Sequence, residues 1–221
     1  MAVSDGEAGR SAREQYEKKV AAKQAKRIDV FGLRIGKVLN FLIADSKTAP
    51  AWNKGATGEK AVGEFLNKFA QENGFRVLHD RAIPGSKANI DHILISNRGI
   101  FVIDAKNYSG KVEIRNVGSL FNSKEVLYVG NRNQSKIVEG VKKQVSIVSD
   151  ALTASQLSSP VTGVLAFFGA EFPVFFAPQV IDGVLINGKG LATAISSQDV
   201  VEGINIESVT EYLKKAFPAK L

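Results

Sequence analysis

The stretch NIDHILISNRGIFVIDAK, residues 89–106, decides the fold of this chain. It contains two apolar runs, NIDHILIS and GIFVIDAK, which are rich in isoleucine and valine and therefore favour β-strands. The turn signal Asn97-Arg98-Gly99 separates the two runs, which suits a hairpin. The stretch therefore predicts two neighbouring strands joined by a tight turn.

Charged residues break the apolar pattern of both strands. Alternation places Asp104 and Lys106 on the same face as Ile100 and Val102, so these two charged side chains project side by side at the end of a buried strand. Asp91 lies at the beginning of the preceding strand and shares a face with two of its isoleucines. Because the connecting turn is short, it can bring Asp91 and Asp104 to neighbouring ends of the sheet.

A helix is predicted before these strands. Thr57 is a good N-cap, and Asn73-Gly74 is a good helix stop. The apolar stripe of this helix extends back by one turn to Glu59, so a carboxylate continues a face that packs on the core. The stripe itself consists of Val62, Leu66, Phe69 and Ala70.

The remaining chain alternates strand-like and helix-like patterns, which predicts an α/β fold with a mixed sheet flanked by helices. Residues 51–221 are expected to form this domain, and residues 1–50 a basic helical extension, with a linker at 45–54. Further strands are expected at FRVLHD, KVEIR, EVLYVG, VTGVLAFFG, FPVFF and VIDGVLIN, and helices at 134–153 and 206–216.

Within the extension, residues 11–27 read as a solvated helix or a partly disordered arm. Residues 31–42 have apolar positions at helical spacing, which predicts an amphipathic helix. This helix either packs on the main domain or lies on a membrane surface or a protein partner. The apolar tract around it is too short and too charged to span a bilayer, and no secretory signal is visible, so the cytoplasm is the expected compartment.

The composition restricts the possible chemistry. The chain has 221 residues, no cysteine and two histidines, which excludes disulfides and zinc–thiolate sites. A bound metal would therefore be a hard cation on oxygen ligands, such as Mg²⁺ or Mn²⁺. His92 is expected on the face opposite Asp91, which favours a structural role, and His79 stays open.

The net charge of +7 is uneven along the chain. Basic side chains exceed acidic ones by ten to six in residues 1–50 and by fifteen to ten in residues 51–150, whereas residues 151–221 carry four and six. A basic surface favours binding of a polyanion such as nucleic acid, although proteins that bind no polyanion also show such an excess of positive charge. Aromatic residues among the basic ones are sparse, and Tyr108 is the nearest example.

Each candidate residue also has a plain structural interpretation. Glu59 would be favourable near a helix N-terminus, Asp104 and Lys106 would suit an ion pair, and Asp91 would cap the turn before it. Together, however, three carboxylates and a lysine at one end of a sheet suit phosphodiester hydrolysis. Carboxylates fix a Mg²⁺ or Mn²⁺ ion that activates water, and a lysine stabilises the developing charge.

Two segments resemble a known family. GATGEKAVGEFL, residues 55–66, and LHDRAIPGSKANIDHILISNRGIFVIDAKNYSG, residues 78–110, look like the NERD (nuclease-related) domain, a branch of the PD-(D/E)XK nuclease superfamily. The resemblance covers roughly residues 52–150. It implies a restriction-endonuclease-like fold and a metal-dependent nuclease, hydrolysing phosphodiester bonds of DNA.

The resemblance also implies roles for particular residues. Glu59, Asp91 and Asp104 would hold the metal with the backbone carbonyl of Ala105, although many members of the family have glutamate where this chain has Asp104. Lys106 would complete the acidic-x-lysine motif, and Gln144 would be a supporting glutamine or simply a polar residue on a helix surface. The candidate phosphate contacts are Lys54, Lys87, Arg98, Lys111, Lys142 and Lys143.

A second hypothesis is a nuclease fold that binds nucleic acid, or a protein partner through residues 1–45, without cleaving. The basic N-terminal half of the chain motivates it. Metal-dependent cleavage separates the two hypotheses.

Overall fold

In a computed structural model, the chain is described at residues 4–5, 51–119, 122–173, 179–187 and 190–220. The strands are β1 (Ser4–Asp5), β2 (Arg76–Ala82), β3 (Asn89–Ser96), β4 (Gly99–Ser119), β5 (Asn122–Val129), β6 (Arg132–Asn133), β7 (Val161–Glu171), β8 (Gln179–Ile181) and β9 (Val184–Asn187). The helices are α1 (Ala51–Asn73), α2 (Ser135–Ala154), α3 (Leu191–Ser196) and α4 (Ile206–Ala216).

The central sheet is mixed, as the sequence predicts. Its strand order is β1-β2-β3-β4-β7-β9-β8, and β5 with β6 branches from β4. The pairs β2–β3 and β3–β4 are antiparallel, whereas the pairs β4–β7 and β7–β9 are parallel. The α/β fold of the nuclease type is thus confirmed.

Helices cover both faces of the sheet. Helix α1 packs its stripe from Val62 to Ala70 on Leu94, Phe101 and Ile103, and α3 extends the same layer. On the opposite face, α2 and α4 pack on a second cluster that includes the alternate residues Ile93, Ile100 and Val102. The predicted alternation of β4 is therefore confirmed, and both faces of the central strands are buried.

Strand β4 is longer than predicted, because KVEIR continues the same strand as GIFVIDAK. Its first half pairs with β3 and β7 in the central sheet, and its second half pairs with β5 in an extended hairpin. The register with β7 shifts between Asn107 and Gly110, and Gly110 has a φ of +116°. A residue with a Cβ is strained at that angle, so glycine lets the strand turn out of the sheet without ending.

Several predicted boundaries need correction. Helix α1 begins at Ala51, so Thr57 lies inside the helix instead of capping it, and residues 51–54 of the predicted linker are helical. The run VIDGVLIN forms two strands, β8 and β9, because Asp182 and Gly183 both have positive φ and make a tight hairpin turn. Helix α3 was not predicted, whereas α2 and α4 confirm the predictions for 134–153 and 206–216.

Some predictions fall outside the described residues. They concern the arm at 11–27, the amphipathic segment at 31–42, the linker at 45–50 and most of FPVFF. Among the helices that are described, none is long and apolar enough to cross a lipid bilayer.

Candidate active site

The strands β3 and β4 separate at one end of their hairpin, and the candidate site lies at this fork. Their ladder runs from Ser96 opposite Gly99 to His92 opposite Ile103. Beyond that pair, β3 continues on β2 and β4 continues on β7. Asp91 and Asp104 are the next residues on the two strands, so the fork places a carboxylate on each arm.

The Asp91 carboxylate accepts a backbone hydrogen bond that a carbonyl of β3 would accept if the ladder continued. Its Oδ2 accepts a hydrogen bond of 3.0 Å from the backbone N–H of Ala105, which the separated ladder leaves without a carbonyl. Burial raises the pKa of Asp91 well above its ordinary value, and the negative charges of Asp104 and Glu59 raise that pKa further. All three predicted carboxylates are therefore close enough to interact electrostatically.

Lys106 supplies the positive charge at the fork. Its Nζ donates a short hydrogen bond to Oδ1 of Asp104. Burial lowers the pKa of Lys106, but the attraction of Asp104 and Asp91 outweighs burial and raises the pKa overall. Lys106 is therefore a cation at neutral pH, and only 22% of its side chain is exposed.

Helix α1 brings Glu59 to the fork through a close approach to β4. Gly58 lies so near the strand that a Cβ on it would be 2.6 Å from the Cβ of Asn107, the residue after Lys106. Glycine inside a helix lowers stability by about 1 kcal/mol relative to alanine, so its presence here is explained by the contact. Glu59 is buried, with 8% of its surface exposed.

The substitution Gly58→Ala is expected to lower the free energy of unfolding by about 1–3 kcal/mol, the usual effect of overpacking. The new methyl group must push α1 away from Asn107. Urea unfolding followed by circular dichroism measures the change. Gly140→Ala in α2 is the matched control, because a Cβ there meets no atom within 4 Å and alanine should stabilise the helix. Equal stability of the Gly58→Ala variant and the wild type would contradict the close approach.

Gln144 lies near the fork but does not reach the carboxylates through a described contact. Its Nε2 donates to the backbone carbonyl of Asn89 at 3.2 Å, two residues before Asp91, while its Oε1 is buried without a partner among the described residues. The side chain of Asn89 donates in turn to Asp80 at 2.8 Å. Gln144 thus anchors the arm of β3 that carries Asp91, and it is not simply a polar residue on a helix surface.

The two histidines are buried on the α1 side of the sheet. Nε2 of His79 lies 2.8 Å from Oδ1 of Asn67, which can only accept, so this nitrogen carries the proton. The other nitrogen of His79 then accepts from Nδ1 of His92 at 2.9 Å. This network links α1 to β2 and β3, which agrees with the structural role predicted for His92. Burial and the nearby His79 hold the pKa of His92 well below its ordinary value.

The predicted phosphate contacts do not form one group. Lys87 is exposed in the β2–β3 turn, and Lys143 is exposed on α2 next to Gln144 in the sequence, whereas Lys142 of α2 pairs with Glu139 at 3.2 Å and with Asp182 at 4.0 Å. Lys111 is farther along β4 and pairs with Glu113 at 2.7 Å. Arg98 lies in the hairpin turn at the other end of β3 and β4 and donates to the carbonyl of Gln198. The side chain of Lys54 is outside the described part of the chain.

The donor atoms at the fork suit a hard cation. Within the described ranges, no group of three or more histidine, aspartate or glutamate side chains is arranged to hold a metal by itself. Mg²⁺, however, usually takes only one or two carboxylates and completes its octahedron with water and phosphate oxygens. Asp91 and Asp104 supply two carboxylates, and a divalent cation would offset the burial and the nearby negative charges that together raise the pKa of Asp91. The residues present therefore fit a Mg²⁺ or Mn²⁺ ion.

Sequence reasoning missed Gly58, Asn89 and Asn107, which position the site. The glycine before Glu59 carried a usable signal, because glycine in a predicted helix often marks a close approach of two backbones. The two asparagines gave no comparable signal.

Comparison with known proteins places the chain in a family. Residues 54–168, slightly more than half of the chain, match the model of the nuclease-related domain. An uncharacterized protein of Bacillus anthracis is 40% identical over 67 residues, which cover 29% of this chain and 31% of that relative. The chain thus spans less than a third of the length of this relative. No solved structure matches the chain. The family match covers α1, the fork and the start of β7, so the chain belongs to the nuclease-related domain (NERD) family.

Proposed function

We propose that this protein is a metal-dependent nuclease that hydrolyses phosphodiester bonds of DNA at the β3–β4 fork. One observation carries the proposal: Asp91 and Asp104 occupy opposite arms of the fork, where the negative charge of Asp104 acts on the buried carboxylate of Asp91. Structural ion pairs occur in many proteins, but a pair of mutually repelling, largely buried carboxylates is unfavourable unless a cation joins them. Membership of the nuclease-related domain family supports the interpretation of this cluster as a nuclease site.

The proposed metal is Mg²⁺ or Mn²⁺. Asp91, Asp104 and the backbone carbonyl of Ala105 would hold it, with Glu59 contributing directly or through water. When bound, such an ion supplies Lewis acidity, which polarises a phosphoryl oxygen and lowers the pKa of a coordinated water.

The side chains of this chain bind and orient the substrate. Lys106 is held by Asp104 and is therefore positioned to bind an oxygen of the reacting phosphate and to stabilise its developing charge. Gln144 would position the β3 arm through its hydrogen bond to the carbonyl of Asn89. Lys87, in the turn that precedes β3, and Lys143, next to Gln144 on α2, would bind the flanking phosphates, which adds affinity without sequence preference.

The proposal is tested by incubating the purified full chain with supercoiled, linear duplex and single-stranded DNA, and with RNA. Each substrate is offered with Mg²⁺, with Mn²⁺ or with EDTA. Cleavage of DNA that requires the metal would support the proposal. Absence of cleavage with every substrate and both metals would overturn it, and cleavage of RNA alone would overturn the choice of DNA.

A second candidate is a module that binds nucleic acid without cleaving it. The contact between Lys106 and Asp104 favours it, because this ion pair already neutralises a carboxylate that the nuclease needs for its metal. In that case DNA binding would need no metal, would weaken with added salt, and would be unchanged by Asp104→Ala.

The substitution Asp91→Asn is expected to stabilise the metal-free protein while removing nuclease activity. It deletes a buried charge that Asp104 and Glu59 repel, and the amide oxygen of asparagine can still accept from Ala105. The expected gain is about 0.5–2 kcal/mol, the usual size of a single stabilising substitution. Thermal unfolding in EDTA measures it. The exposed Asp150→Asn is the control, and a lower stability of Asp91→Asn would show that the carboxylate is structural.

A further inference from the structure

A polar cleft opens next to the fork. It has a volume of about 840 Å³ and lies between residues 107–109 of β4 and residues 129–134, which connect β5 to α2. The first of these residues, Asn107, directly follows Lys106. The register of β4 against β7 shifts between Asn107 and Gly110, so Tyr108 and Ser109 of the cleft wall lie outside the regular ladder, which resumes at Gly110 opposite Ala170.

Among the described residues, the side chains that line this cleft are amides, hydroxyls, one cation and the apolar Val129. Asn131 and Arg132 are exposed, and neither has a side-chain hydrogen bond or ion pair within the described ranges. Asn133 uses its Oδ1 to accept from the N–H of Ser135 at 2.8 Å, which leaves its amide N–H₂ to donate. None of the described residues in the lining is acidic. The cleft therefore offers an available positive charge and both donors and acceptors, without a group that would repel an anion.

Two further features favour an anionic, partly aromatic ligand. Tyr108 is half-buried in the wall, where the centroid of its ring lies 6.0 Å from that of Phe167. Helix α2 begins at this cleft, and its N-cap residue Gln134 makes no side-chain capping hydrogen bond. This 20-residue helix presents its positive dipole end there, although the N–H groups of Ser135, Ile137 and Val138 are already bound by Asn133 and Gln134. These features add to the positive charge of Arg132.

We propose that this cleft binds a single-stranded segment of nucleic acid and holds the nucleotide next to the phosphate at the fork. The identity of the ligand rests on the proposed function. Arg132 would bind a phosphate, and the amide side chains would bind the hydrogen-bonding edges of an unpaired base. A volume of this size suits one or two nucleotides and not a double helix, whose bases are paired and stacked within the duplex.

Binding is measured separately from cleavage. The full chain carrying Asp104→Asn, in EDTA, is titrated into a labelled single-stranded DNA of about 12 nucleotides, within the usual site size for such grooves. Fluorescence anisotropy gives the Kd at several salt concentrations. The same sequence is also titrated as single-stranded RNA and as a blunt DNA duplex. Arg132→Gln is compared with Lys68→Gln, which removes the same charge from an exposed lysine of α1 that pairs with Glu72.

Arg132→Gln is expected to weaken binding of the single strand by roughly tenfold and to reduce the salt slope by about 0.7, the value for one lost phosphate contact on a single strand. Lys68→Gln should change neither quantity. Tighter binding of RNA than DNA, with the same loss in Arg132→Gln, would support the cleft and assign RNA as its ligand. Equal effects of the two variants, or an effect of Arg132→Gln on the duplex alone, would overturn the proposal.

These outcomes can be told apart from failure of the nuclease. If the wild type cleaves no substrate but Arg132→Gln weakens single-strand binding as expected, the cleft is a binding site and the proposed nuclease activity is wrong. If the wild type cleaves DNA and Arg132→Gln leaves single-strand binding unchanged, the nuclease activity is supported and the binding role of the cleft is wrong.

Discussion

The Asp104→Asn protein is expected to lose cleavage by roughly 10³-fold or more, because altering even a residue that supports a metal ligand reduces affinity or activity by about 10–100-fold. The asparagine would keep the size of the side chain but remove the charge that attracts a divalent cation. Asp104 is also the residue to which Lys106 donates, so the variant releases the lysine from its position. The initial rate of DNA cleavage in Mn²⁺ measures the loss, and isothermal titration with Mn²⁺ should show that binding at the fork is lost.

Asp150→Asn is the matched control for this prediction. Asp150 is an exposed aspartate on α2, so its substitution makes the same change of charge away from the fork. We expect wild-type cleavage from it. An Asp104→Asn protein that cleaves as fast as this control would show that the fork is not the active site.

Lys106→Ala is expected to reduce cleavage by about 10²–10³-fold, the usual effect of removing one group that stabilises charge in a transition state. Unlike Asp104→Asn, it should not weaken metal binding. The lysine competes with a cation for the carboxylate of Asp104, so its removal should leave Mn²⁺ affinity unchanged or higher. Titration with Mn²⁺ and single-turnover cleavage with saturating protein measure the two quantities separately.

The control for Lys106 is Lys60→Ala, because Lys60 is 69% exposed on α1 and pairs with Glu64. This variant should cleave and bind metal as the wild type does. A Lys106→Ala protein with normal cleavage would assign the lysine to a structural ion pair. Loss of Mn²⁺ binding in Lys106→Ala would instead indicate that the lysine organises the carboxylates.

The proximity of Asp91 to Asp104 could be predicted from the sequence, because local features determine it. The two-residue turn puts Ser96 opposite Gly99, and each step back along β3 is matched by a step forward along β4. Five steps from this first pair reach the two aspartates. Alternation then places both side chains on the face of the buried residues Ile93 and Val102.

The fork itself was not predictable from these strands alone. It exists because β2 holds one arm and β7 holds the other, and β7 follows β4 in the chain by more than forty residues. Strand pairings at that separation depend on the whole sheet and leave no signal in a local pattern. The polar cleft has the same origin, since it lies where the register between β4 and β7 shifts.

The start of α1 shows how a local signal can mislead. Thr57 has the chemistry of an N-cap, but the helix begins at Ala51, and alanine and lysine before Thr57 are good helix formers. Gly58 is tolerated inside the helix because it packs against Asn107. A capping residue marks a helix start only where the preceding residues do not continue the helix.

Crystals soaked in Mn²⁺, with diffraction data collected at a wavelength where manganese scatters anomalously, would examine the fork directly. We predict one strong anomalous peak within coordination distance, about 2.0–2.4 Å, of carboxylate oxygens of both Asp91 and Asp104. The peak should be absent from crystals of the Asp104→Asn protein. Wild-type crystals with no peak at the fork, while Lys106 remains bound to Asp104, would contradict a metal-dependent nuclease site at this position.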